Sequence, residues 1–134
     1  MTFAMARATQ AAPPSILLVD DEVDVLPEYQ DFLELEGFTA LTCCNPEKAA
    51  EQVLAEPSVA LVITDLRMAK LDGVSLIRQL RAMLPAERSL AFIILTGDAA
   101  YQIGTDLADI PVLIKPADTD ALMRAVKAAL ARST

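Results

Sequence analysis

The sequence predicts an α/β protein: a doubly wound, five-stranded parallel sheet with five helices distributed over its two faces. Five short apolar runs, Ile16-Leu17-Leu18-Val19, Phe38 to Thr42, Val59 to Ile63, Ala91 to Leu95 and Val112-Leu113-Ile114, alternate with segments of helical periodicity. Three of the runs show no alternation of apolar and polar residues, which is how strands buried on both faces of a helix-covered sheet read. Right-handed crossovers between such strands place helices on both sides.

The elements follow in order. Residues 1–15 carry one charge, a Pro13-Pro14 pair and no periodicity, and predict a flexible leader before a domain at 16–132. A first helix over Val23 to Glu36 puts Leu26, Tyr29 and Leu33 on one face; Pro27 fits its first turn and Gly37 ends it. Asn45 is a good N-cap for a second helix over Pro46 to Ala55. A third, Val74 to Leu84, carries Ile77, Leu80 and Leu84 on one face and stops before Pro85. The stretch Asp98 to Leu107 has a weak pattern interrupted by Gly104, so the fourth helix is expected to be short or irregular. Thr119 to Ala131 aligns Leu122, Val126, Ala129 and Leu130 as the fifth.

Composition narrows the chemistry. The 134 residues make one domain, and 54% hydrophobic against 22% charged residues is the balance of a folded core. No apolar stretch reaches the ~18 residues of a membrane helix. Eleven Lys and Arg against 19 Asp and Glu leave a net charge of −8, which opposes binding to phosphate backbones, so nucleic acid is not expected as a direct partner. The chain has no histidine. That excludes Ser-His hydrolysis, His-ligated zinc and phosphotransfer from an imidazole of its own. Its two cysteines, Cys43 and Cys44, are adjacent and offer no disulfide framework, which fits a reducing cytoplasm.

In a doubly wound sheet, function collects at the carboxyl ends of the strands. There the first strand runs into Asp20-Asp21-Glu22, the third into Thr64-Asp65, the fourth into Thr96-Gly97-Asp98 and the fifth into Lys115-Pro116. Two carboxylates ~4 Å apart repel by roughly 4 kcal/mol at an effective dielectric of about 20. A cluster of three therefore calls for a cation, and oxygen donors without His or thiolate suit a hard one, Mg²⁺ best. A carboxylate such as Asp65 can attack a phosphoryl group once Mg²⁺ and Lys115 draw charge from its oxygens and the Thr96 hydroxyl donates to one of them. An ionised carboxylate needs no general base. Taken singly, each motif also reads as an N-cap or a solvated turn; their joint occurrence at four strand ends is what such readings leave unexplained.

Four stretches, ILLVDDE at Ile16 to Glu22, VITDLRMAKLDG at Val62 to Gly73, IILTGDA at Ile93 to Ala99 and VLIKP at Val112 to Pro116, resemble the receiver domains of bacterial response regulators, in the same order. The resemblance spans Ser15 to Ala131 and points to the stand-alone, single-domain type with the flavodoxin-like receiver fold. It implies that Asp65 is the phospho-accepting aspartate and that Asp20 and Asp21 hold Mg²⁺ with Asp65 and the backbone carbonyl of Arg67. It implies that Thr96 is the switch hydroxyl and Lys115 the lysine that contacts the phosphoryl group. The implied donor is a phosphohistidine on a sensor histidine kinase or histidine phosphotransfer protein. Such a module is not an enzyme acting on a separate substrate: it catalyses only its own phosphorylation and dephosphorylation.

Departures from the family pattern shape the remaining expectations. Ala69 stands where a proline is usual. Val112 replaces the aromatic that pairs with the switch threonine, and only nineteen positions separate Thr96 from Lys115, a few fewer than usual. Arg67 and Asp98 flank the pocket and read in two ways, as a pair across its mouth that slows attack by water or as two solvated side chains. Output is expected to run through an unidentified protein partner, by relay of the phosphoryl group or through a phosphorylation-linked homodimer, unless the chain is a receiver cut from a longer regulator. The competing reading is a degenerate receiver that binds protein independently of phosphorylation. A haloacid-dehalogenase-type phosphatase fits less well, since Glu22 stands where its second acid is needed and no cap domain is present. A flavodoxin-type binder would not place Asp20-Asp21-Glu22 where phosphate must sit.

Overall fold

The computed structural model describes residues 13–132. Five parallel strands, β1 (Ser15–Val19), β2 (Thr39–Cys43), β3 (Val59–Thr64), β4 (Ala91–Thr96) and β5 (Val112–Ile114), form one sheet in the order β2-β1-β3-β4-β5. Four α-helices connect or follow them: α1 (Leu26–Leu35), α2 (Pro46–Ala55), α3 (Gly73–Met83) and α4 (Thr119–Arg132). The strands whose apolar runs show no polar alternation, β1, β3 and β4, are those with a core on each side. Leu17, Val19, Val62, Phe92 and Ile94 pack against α2 and α3, while Ile16, Leu18, Leu61, Ile63, Ile93 and Leu95 pack against α1 and α4. Side-chain alternation thus persists, dividing apolar residues between two cores.

Local chemistry sets the boundaries. The Glu22 carbonyl accepts the Val25 N–H in a turn, so α1 begins at Leu26, three residues later than expected, with Pro27 in its first turn. It ends in a Schellman motif: Gly37, at φ 95°, donates to Glu34 and Phe38 donates to Leu33, both at 3.0 Å. Asn45 caps α2 by accepting the Glu47 N–H, and Asp72 caps α3 by accepting the Ser75 N–H. The leader expected over 1–15 lies mostly outside the described residues. Its last residue, Ser15, belongs to β1, where its hydroxyl meets that of Ser58 at 2.9 Å.

The expected fifth helix is missing from the count. Between β4 and β5 the described chain forms one 3-10 turn, Thr105–Leu107, where a fourth helix was expected over Asp98 to Leu107. Gly104 is extended and starts the turn, and only Leu107 and Ile110 are buried in the core, with Ile103 half-buried against it. Too few apolar positions at helical spacing exist there for packing to drive a full helix.

The edge strand β2 is shielded. Cys43 O accepts from Asp20 N, so the carbonyls of Ala40 and Thr42 point away from β1, where they accept from Gln30 on α1 and Gln52 on α2. At the opposite end of the sheet, Arg88 donates to the carbonyls of Val53, Glu56 and Val59, which places a cation on the end of α2 and the entry to β3. Replacing Arg88 by Ala leaves those oxygens without their charged donor. The expected loss is on the order of 2 kcal/mol in a urea titration, with part recovered by Lys.

Candidate functional site

Strand register assembles the site. Val19 lies beside Thr64, and Asp65 N donates to Val19 O at 3.0 Å, so the residues that follow, Asp20 and Asp65, leave adjacent strands side by side. On the other flank Thr96 lies beside Ile114, and Lys115 N donates to Thr96 O at 2.7 Å. Lys115 precedes Pro116 through a cis peptide bond. Its ammonium reaches back across the sheet, 2.7 Å from Asp20 Oδ2 and 3.6 Å from Asp65 Oδ2.

Asp20, Asp65 and Thr96 are buried, at 4%, 7% and 1% exposure, so their polar atoms need partners. Asp20 Oδ1 accepts the Glu22 N–H, and Asp65 Oδ1 accepts the Leu66 N–H at 2.8 Å. Asp21 is half-buried; its Oδ2 accepts the Ala69 N–H and ties the loop after β1 to the loop after β3. The hydroxyl of Thr64 donates to Asp65 O. Gly73 is packed so closely on the Asp65 carbonyl that any Cβ would collide with backbone, while its own N–H donates to Leu66 O.

Asp20, Asp21 and Asp65 each bring a carboxylate oxygen within 4.8 Å of the others. This all-oxygen donor set fits a hard divalent cation. Asp65, Thr96 and Lys115 line an open depression of about 340 Å³ together with Glu22, Arg67, Gly97 and Asp98. Burial pushes the Asp65 carboxyl above its usual range; Lys115 opposes the rise and the charge of Asp20 adds to it. Burial of Lys115 works against its charge, yet the hydrogen bond and charge of Asp20, with the charges of Asp65 and Glu22, hold its pKa above the ordinary value. Thr96 Oγ1 accepts the Asp98 N–H at 3.1 Å, which leaves the hydroxyl proton to donate into the depression.

At the rim, Arg67 Nε and Nη2 donate to a single oxygen of Asp98, at 2.9 and 2.6 Å, and this hydrogen bond holds the Asp98 carboxyl below its usual range. Of the two readings of Arg67 and Asp98, paired or separately solvated, the structure shows the pair. Sequence reasoning assigned no role to Glu22 or Gly97 as lining residues, nor to Gly73, whose only signal was a glycine directly after the Asp72 cap.

The sequence model of the family described as "Response regulator receiver domain" matches residues 16–127. The chain belongs to the response regulator receiver family. Its relatives include the probable chemotaxis protein CheY of Rhizobium etli, 33% identical over 84% of this chain and 89% of that protein. The two-component response regulator PprB of Pseudomonas aeruginosa is 36% identical over 66% of this chain but only 32% of its own length. The chain spans about a third or less of the first curated relatives it matches. Among solved structures, the response regulator TrrA of Thermotoga maritima, in complex with Mg(2+)-BeF, superposes with a TM-score of 0.76 at 25% identity, covering 87% of this chain and 99% of that one. Among the described residues of this receiver, no helix is long and apolar enough to cross a membrane.

The raised pKa of Asp65 has a stability consequence with a definite sign. Between its unfolded and folded values the folded receiver holds a proton that the unfolded chain has released, so stability falls as pH rises through that window. Above it the buried charge is present in full. Asp65→Asn should therefore stabilise the metal-free receiver at pH 7, with the advantage shrinking as pH falls toward the ordinary carboxylate value of about 3.9. Urea titrations of both proteins at pH 7 and pH 4 measure this; an equal difference at both values contradicts it.

Proposed function

We propose that this receiver accepts a phosphoryl group from a phosphohistidine of a sensor histidine kinase or histidine phosphotransfer protein onto Asp65. In that reading it works in the cytoplasm and signals to a protein partner. The observation that carries the proposal is Lys115, whose ammonium bridges the buried Asp20 and Asp65 beside an open depression. An Asp65 carboxylate oxygen forms the new bond to phosphorus as the P–N bond of the donor breaks, and the electron pair returns to the donor's imidazole nitrogen. Lys115, already closer to Asp20 than to Asp65, swings its third donor toward a phosphoryl oxygen, and the Thr96 hydroxyl donates to another.

Asp20, Asp21 and Asp65, with the main-chain carbonyl of Arg67, are the groups that would hold Mg²⁺. Bound there, the ion would neutralise charge developing on the phosphoryl oxygens. That TrrA is in complex with Mg(2+)-BeF supports Mg²⁺ as the ion by analogy. The chain acts on no separate substrate: the chemistry it assists is its own phosphorylation and dephosphorylation. Arg67 stands over the pocket and shields the phosphoryl group from water.

Incubation with Mg²⁺ and acetyl phosphate should give one phosphoryl adduct by intact mass on the wild-type chain and none on Asp65→Asn or in excess chelator. Lys115→Ala should slow labelling by roughly 10²-fold or more, the scale of losing one fixed charge-stabilising donor. An unlabelled wild-type chain would favour the phosphorylation-independent binding module. Arg67→Ala should label normally but lose the adduct a few-fold faster after the donor is removed; an unchanged decay rate would deprive Arg67 of its shielding role.

A further inference from the structure

A second recess lies at the amino ends of β4 and β5, the opposite end of the sheet from Asp65, and a break in strand pairing makes it. On β4 the main chain of Ile94 and Thr96 faces β5: Ile94 N donates to Pro111 O at 2.9 Å and Thr96 O accepts from Lys115 N. Phe92, two residues earlier, presents its main chain to the same side. Its carbonyl would next accept from residue 111, and proline has no N–H to give. Pairing therefore begins only at Ile94 with Val112. Among the described residues, the N–H and C=O of Phe92 have no partner on the β5 side.

The recess left there holds about 170 Å³. Arg81, Ser89, Asp109 and Arg132 give it polar groups, and Leu90, Ile110 and Pro111 give it an apolar wall. The two arginines converge from opposite faces of the sheet, Arg81 from the last turn of α3 and Arg132 from the last turn of α4. Arg81 is held in place: its Nη2 donates to Asp109 at 2.9 Å, and its guanidinium lies 5.5 Å from the centre of the Phe92 ring. Only two of its five N–H donors are engaged, by Asp109 and by the Asp106 carbonyl. The guanidinium of Arg132 has no carboxylate partner among the described residues.

We propose that this recess binds a small monocarboxylate with an apolar body. Charge sets the class. Asp109 neutralises one guanidinium, and the carbonyl ends of α3 and α4 draw on both, so at most one net positive charge is on offer. That suits a carboxylate held by the planar fork of Arg132, with the Ser89 hydroxyl and the Phe92 N–H as further donors, better than the greater charge of a phosphate. Size sets the rest. The volume is below the ~300 Å³ at which drug-sized pockets begin, so the body is a short aliphatic chain or a single ring against Leu90, Ile110 and Pro111. No residue of the recess lines the depression over Asp65, so occupancy does not compete with a phosphoryl group there.

Titration of the full chain with sodium benzoate at constant ionic strength, followed by backbone ¹H–¹⁵N shifts, tests this. Saturable shifts are expected at residues 89–92 and 109–110, with a Kd on the order of 1 mM and none at 20–22 or 65–67. Benzamide, of the same shape without the charge, should bind about tenfold more weakly or worse, and inorganic phosphate no more tightly than benzoate. Arg132→Ala, at an exposed helix end, should weaken benzoate roughly tenfold, the scale of one charge-assisted hydrogen bond. Arg124→Ala, exposed on the same helix but outside the recess, should leave binding unchanged. Shifts that fail to saturate by about 50 mM, equal binding of benzamide, or unchanged binding in Arg132→Ala each overturn the site. Tighter binding of phosphate overturns the carboxylate assignment.

Discussion

Asp20 and Asp65 leave neighbouring strands side by side, buried, and share the single ammonium of Lys115. Much of the molecule can be read as the arrangement that makes this tolerable. Two buried carboxylates this close cannot both ionise cheaply, and one lysine neutralises only one of them. The backbone supplies what it can, with the Glu22 N–H on Asp20 and the Leu66 N–H on Asp65. The residual negative charge is what a hard cation and a phosphoryl transfer would use. Removing Lys115 would leave two buried charges without a counter-ion, so the lysine is structural in the resting protein as well as positioned for chemistry.

Only a parallel sheet brings these groups together so economically. All five strands deliver their carboxyl ends to one edge, and the register does the rest: one residue past the Val19–Thr64 pair come Asp20 and Asp65, and one past Thr96–Ile114 comes Lys115. Gly73 then lets α3 start hard against the Asp65 carbonyl, and Asp21 stitches the two acidic loops through Ala69. The site depends on main-chain geometry in three places and on side-chain packing in few. That explains how a chain without histidine can present a reactive carboxylate with little more than strand ends and one lysine.

This is also why the site was legible in the sequence. Apolar runs of three to five residues running into Asp, Thr or Lys mark both a buried strand and the terminus where the site lies, and the boundaries of α2 and β5 agree with the pattern residue for residue. Where the signal was weaker, so was the reading. Thr39–Cys43 carries two threonines and sits one residue later than its apolar run, because the Schellman turn at Gly37 uses Phe38. Residues 98–110 carry only a weak period, broken at Gly104. Their order comes from Arg78 with Asp106 and Arg81 with Asp109, partners 28 positions apart, and such pairs leave no mark in a local pattern. The three carbonyls gathered by Arg88 were equally invisible.

The absence of a fourth helix and of an aromatic at Val112 changes what kind of switch this receiver can be. A helix that shifts as a body couples many contacts to one event, whereas the segment after β4 is tied to the pocket by the Asp98 N–H on Thr96 and by one exposed pair, Arg67 with Asp98. Exposed pairs of this kind change the ratio of two states by a few-fold. Inverting a population from 1:99 to 99:1 takes about 10⁴-fold. A contact of that strength can bias the segment without fully converting it. The remainder must come from a partner that binds one state better than the other, and by linkage that partner would in turn favour the phosphorylated form. A receiver that works as proposed would on this scale be half of a switch, and its net charge of −8 would favour a protein surface carrying basic groups over a nucleic acid as the other half.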